Sequence, residues 1–180
     1  MPDAKTKAAE RRWPTRHPGP AVYSPCAGYR YRLERLLGPG PTMGIVMINP
    51  SRATEDLDDP TISSVQTLCR RLGFGRAIIG NLFAWRTPDV SDLARVADPV
   101  GPENDSHLAA IAADSDRLVV AWGAAGKLPR AHADRWREVV GILGRSGKPL
   151  HCLTHLKGDH PRHPQILIHE TPLPLWRCPA

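Results

Sequence analysis

The chain has no long apolar run. Its hydrophobic residues make up 41% of 180 but come a handful at a time, whereas a spanning helix needs roughly 20 in succession. No apolar core resembling a secretory leader follows Met1, so a cytoplasmic protein with no membrane partner is expected. Paired cysteines are missing too. Cys26, Cys69, Cys152 and Cys178 are far apart and form no C-x-x-C, which excludes a zinc ribbon or a dithiol redox motif and leaves reduced, mostly buried thiols. Neither a Walker loop nor G-x-G-x-x-G occurs, since Gly123-Ala124-Ala125-Gly126 lacks that spacing. Internal repeats are also absent. The acidic run Glu55, Asp56, Asp58 and Asp59 reads as a helix N-terminus, which the helix dipole favours, rather than as a hard-cation site. No metal and no cofactor are expected.

What is present is one domain's worth of chain, with charge in excess on one side. The net charge is +6 and the pI about 9.5, which favours a polyanionic partner such as DNA. Much of the excess lies in Lys5, Lys7, Arg11, Arg12 and Arg16. These belong to a basic, Pro-rich arm, residues 1–27, that serves either to bind phosphate or to solubilise. Residues 28–180 form a single domain, and a monomer is expected.

The organising stretch is Met43-Gly44-Ile45-Val46-Met47-Ile48-Asn49-Pro50-Ser51. Its apolar run suits a strand buried on both faces, and Pro50 ends it with Asn49 at the C-terminal edge. Before it, 29–36 alternates as a half-exposed strand that Gly38-Pro39-Gly40-Pro41 turns into the central one. After it, Asp59 caps a helix from Pro60 to Arg71 that Gly73 stops. Further strands are read at 77–83, 118–122 and 150–153, with helices at 103–113 and 130–143. The architecture is α/β: a three-layer sandwich with a central, mostly parallel four-stranded sheet and an N-terminal strand or hairpin addition. Parallel strands end on one side, which brings Asn49, Asn81, Trp122-Gly123 and the loop at His160 around one cleft.

These blocks together resemble the uracil-DNA glycosylase superfamily. Met47-Ile48-Asn49-Pro50-Ser51 is similar to its first motif, Ile78-Ile79-Gly80-Asn81-Leu82 with Trp85-Arg86-Thr87-Pro88 to its middle block, Val119 to Ala125 to its third strand, and His160-Pro161-Arg162-His163-Pro164 to its His-Pro-Ser-Pro loop. The pattern also resembles a family of small bacterial and phage proteins known only as a domain of unknown function. The first resemblance implies a glycosylase-like fold and a DNA glycosylase, a hydrolase that flips a base, in repair or in phage defence against a modified base.

By that resemblance Asn49 orients the attacking water and His160 stabilises the leaving base. Ile48, Pro50, Ser51, Asn81, Trp85 and His163 line the base site, and Arg86, Lys157 and Arg162 contact phosphate. Arg162 stands where the family has Ser, and His163 where it has Pro. The cysteine spacing does not match the iron-sulfur ligands of the thermophilic branches. Ordinary roles compete with each assignment, since Asn49 and Asn81 suit strand-end turns and loop histidines are often simply solvated. Two further functions are compatible with the same residues: a non-catalytic nucleic-acid or nucleotide binding module, and a hydrolase of a small nucleoside or nucleotide.

Overall fold

A computed structural model describes residues 13–165 and 173–179. The arm residues 1–12 lie outside them, and so does any phosphate role for Lys5, Lys7, Arg11 and Arg12.

The central strand is β4, Thr42–Met47. It pairs in parallel with β6, Arg76–Asn81, on one side and with β7, Arg117–Val120, on the other. Beyond β7 lies β8, Leu150–Cys152, also parallel. Beyond β6 lies β3, Arg30–Leu36, antiparallel, followed by β2, Ala21–Tyr23. The mixed sheet therefore has six strands in the order β2-β3-β6-β4-β7-β8, with the N-terminal hairpin added at the β6 side of the four parallel strands.

Burial on both faces accounts for the apolar run of β4. Met43, Ile45 and Met47 pack against Ile62, Val65, Leu68 and Cys69 of helix α1, Pro60–Arg71. Val46 and Ile48 point the other way, into a cluster with Leu108 and Ala112 of α2, Asn104–Asp114, and with Trp136, Val139 and Leu143 of α3, Arg135–Gly144. Helices thus cover both faces, with α1 on one side and α2 and α3 on the other. Glycines let the α2 layer pack close: a Cβ at Gly44 would overlap the hydroxyl of Ser115, the residue after α2, and one at Gly80 would overlap Ile111 within it.

Helix α1 starts as its cap residue dictates. Asp59 accepts a hydrogen bond from the Ile62 amide at 2.9 Å, and Pro60 follows as the first helical residue. Its exit uses Gly73 at φ 76°, a left-handed conformation that suits glycine.

Three segments differ from the sequence reading. Residues 13–23 are not irregular throughout: β1, Trp13–Pro14, pairs with β5, Leu57–Asp58, and β2 joins the main sheet. The last helix starts at Arg135 rather than near 130, because Pro129 is extended and only a single turn, Arg130–His132, follows it. Two of the four cysteines, Cys26 and Cys178, are exposed.

The far C-terminal segment closes the sheet. The Cys152 amide donates to the Pro174 carbonyl and the Trp176 amide to that of Leu150, so residues 174–176 cover the free edge of β8. Among the described residues no helix is long and apolar enough to cross a membrane.

Candidate functional site

The chain runs from β4 through α1 to β6, then through α2 back across β4 to β7. The first crossover passes over one face of the sheet and the second over the other. Such a reversal leaves a crevice at the carboxyl ends of the strands. A pocket of about 200 Å³ lies there, lined by the end of β4, the start of α1, Thr87-Pro88, Trp122-Gly123 and His163.

Asn49 is held at the pocket wall by both of its N–H donors. Its Nδ2 donates to the Thr87 carbonyl at 2.7 Å and to the Pro50 carbonyl at 3.1 Å. The Thr87 amide donates back to Pro50 at 3.0 Å, which fastens the Asn-Pro-Ser turn to the segment after β6. Because both neighbours of the amide nitrogen are carbonyl oxygens, the orientation of the side chain is fixed. Oδ1 is paired with no donor among the described residues, so it remains available to accept a hydrogen bond. The turn-capping role and a ligand role therefore use different atoms of one side chain.

His163 reaches the pocket through a glycine. Gly123, at φ 84°, turns the chain after β7, and its amide donates to the Pro161 carbonyl at 2.8 Å. His163 Cβ lies 3.7 Å from where a Gly123 Cβ would stand. The imidazole accepts at Nδ1 from the Gln165 amide at 3.2 Å, which assigns the proton to Nε2 in the neutral ring. Burial, reinforced by the Lys127 ammonium and opposed by Asp59, pushes its pKa down to about 4. His163 is therefore a neutral N–H donor at pH 7.

Ile48 and Ser51 line the same pocket. Pro50 is buried beneath it, and its carbonyl is the acceptor described above. The other expected residues lie elsewhere. Asn81 pairs with Met47 at the C-terminal end of β4 but is 2% exposed, and its Nδ2 is buried without a partner. Trp85 packs edge-on against Tyr29 at 5.2 Å and over Gly28. His160 turns away from the pocket to meet Trp136 at 5.6 Å, because the hairpin-like loop around Gly158 and Asp159, both at positive φ, reverses the chain. Arg86 lies over the Tyr23 ring at 5.0 Å and donates to the Ala27 carbonyl. Lys157 is exposed, and Arg162 is half-buried with its Nε sealed.

Among the pocket residues that the sequence did not point to are Arg30, Lys127 and Asp59, the last a wall as well as a cap. Arg30 sits in an alternating strand that resembled half-exposed structure, and only the pairing of β3 beside β6 shows that it is buried. Among the described residues no group of three or more His, Cys, Asp or Glu could hold a metal ion. Cys152 Sγ lies 3.8 to 3.9 Å from the His155 ring, but burial raises this thiol to about 11, and it is no activated nucleophile.

Residues 30–165 match a family model described as a protein of unknown function, DUF1643. That span includes the whole pocket. No curated protein and no solved structure matches the chain.

Proposed function

The chain belongs to the DUF1643 family, and from that premise we propose that it is an N-glycosyl hydrolase that removes a base, unmodified or modified, from DNA. The reading takes its fold to be uracil-DNA glycosylase-like, its partner to be DNA, and the protein to act as a cytoplasmic monomer in DNA repair or in defence against phage. The observation that carries it is the pairing of Asn49 and His163 across one pocket at the strand ends.

The chemistry follows from these two groups. Hydrolysis needs a water directed at the sugar C1′ and a donor for the charge that develops on the departing base. Asn49 Oδ1, with its amide nitrogen fixed by two carbonyls, accepts a proton of that water as a hydrogen bond and orients a lone pair without ionising. As the N-glycosidic bond breaks, its electron pair moves onto the base, where Nε2–H of neutral His163 hydrogen-bonds a carbonyl oxygen. The water oxygen joins C1′, and its proton goes by way of solvent to the released base. Without a general base, rate enhancement rests on positioning and electrostatics. A pocket of about 200 Å³ is below the common range for whole drug-sized ligands and suits one flipped ring system.

The test is alkali-induced strand breakage on DNAs carrying uracil, mismatched or hypermodified bases. Wild type should leave abasic sites on at least one of them. Asn49→Ala and His163→Ala should each lower the rate by about 100-fold or more, with binding retained. Binding by the wild type without an abasic product on any DNA would replace this reading with that of a nucleic-acid binding module.

A further inference from the structure

Among the described residues three arginines are buried: Arg30, Arg35 and Arg135, at 2%, 0% and 3% exposure. Two of them are saturated. Arg35 donates to Asp58 and to the carbonyls of Glu34, Thr54, Glu55 and Leu57. Arg135 donates to Glu138, Asp105 and the Leu82 carbonyl. Among the described residues Arg30 has a single acceptor, the Ala53 carbonyl at 2.6 Å from Nη1. It pairs with no carboxylate among the described residues. Neither Nε nor Nη2 is buried without a partner, and Arg30 lines the same pocket as Asn49 and Ser51.

A desolvated guanidinium with most of its donors unmatched is unfavourable unless something completes it. Its neighbours do not. Asp59 attracts it from the pocket wall but spends Oδ1 on the Ile62 amide, while Arg86 and Arg35 repel it. Lys127 adds a second cation to the lining, His163 adds none, and the pocket opens at the first turn of the twelve-residue helix α1. The two cations outnumber the Asp59 carboxylate that already caps α1, and a planar fork with donors to spare suits a phosphate oxyanion.

We infer that Arg30, assisted by Lys127, forms a phosphate subsite inside the pocket, which holds the phosphate attached to the nucleotide whose base the pocket receives. The inference deepens the hydrolase reading, from which it takes the pocket as the nucleotide site. The phosphate comes either from a polymer backbone or from a 5′-monophosphate, and the probes separate the two.

The experiment measures binding by the full chain, at low salt, of four probes. These are a short single-stranded oligodeoxynucleotide, the same oligomer with uncharged methylphosphonate linkages, a deoxynucleoside 5′-monophosphate and its parent nucleoside. Wild type should prefer a charged probe over its uncharged counterpart by about tenfold or more, and Arg30→Met should erase that preference while binding the uncharged probe unchanged. A preference confined to the oligomer identifies a backbone phosphate, and one shared by the monophosphate a free phosphate ester. Lys127→Ala, at an exposed side chain that leaves the fold intact, should lower the preference by about threefold. It decides the matter alone if Arg30→Met does not fold. Equal binding of charged and uncharged probes by the wild type overturns the inference, as does a preference that survives in the variants. Base release without a phosphate preference leaves the hydrolase standing and removes the subsite; the preference without base release does the reverse.

Discussion

At the scale of single residues, the imidazole of His163 carries the strongest prediction. In the unfolded chain it titrates near 6.5 and in the native protein near 4. Between those values the unfolded state binds a proton that the native state does not, so stability falls as pH drops through that window and is level above it. The urea midpoint of the wild type should fall more steeply from pH 7 to 4.5 than that of His163→Gln. Burial lowers His107 and His151 too, but both proteins share them, so the difference curve isolates His163. Coincident curves would place His163 in water. Under the proposed hydrolase reading, the rate of base release should show no inflection near 6.5, since the ring is already neutral there. Asn49 shows how a polar strand-end residue fastens its turn with the amide nitrogen alone and leaves its oxygen open.

At the scale of elements, the acidic loop between Ser51 and α1 is held by one buried network. Arg35 on β3 donates to Asp58 at 2.9 Å and to the loop carbonyls, and Gln66 on α1 donates to the other Asp58 oxygen at 2.8 Å. The Asp-rich stretch therefore anchors a loop through Asp58 and caps α1 through Asp59, of which the sequence suggested only the second. Truncating one partner of such a pair strands the other charge in the interior. Asp58→Ala should therefore cost about 3 kcal/mol of unfolding free energy, measured by equilibrium denaturation, and should speed hydrogen exchange across 53–59. A cost near that of an exposed ion pair, below about 1 kcal/mol, would show that the network is solvated. The same anchoring fixes Asp59 and the first turn of α1 against the pocket.

At the scale of the whole molecule, the parallel strands put every loop that follows them on one side, and the closing segment 173–179 protects the far edge of the sheet. Trp176 is 7% exposed, meets Trp122 and Trp136 edge-on, and donates from Nε1 to the Asp159 carbonyl at 2.8 Å. Trp122 lines the pocket and Asp159 belongs to the loop that leads to His163. Removing the indole should thus loosen the pocket as well as the edge. Trp176→Ala should lower stability by about 3 to 5 kcal/mol and weaken ligand binding. Full stability in that variant would mean that the segment docks without contributing to the core.

What the sequence determined by itself was local. The apolar run of β4, the Asp59 cap, Pro60 and the Gly73 exit are each fixed by neighbours within a few residues, and all four match the structure to within a residue or two. Strand periodicity with intervening helices also sufficed for a parallel sheet covered on both faces, because right-handed crossovers leave few alternatives. It brought Ile48, Asn49, Ser51 and His163 to the right edge. The choice between His160 and His163 belonged to tertiary structure: both lie in one five-residue motif, and only the reversal at Gly158-Asp159 and the Gly123 turn decide which ring enters the pocket. Asn81 ends a strand on the same side but is covered by its neighbours, and Arg30 enters the site from a strand that the chain passes before the motif begins. Burial of that kind depends on which strands become neighbours, a long-range pairing that no local pattern of residues encodes.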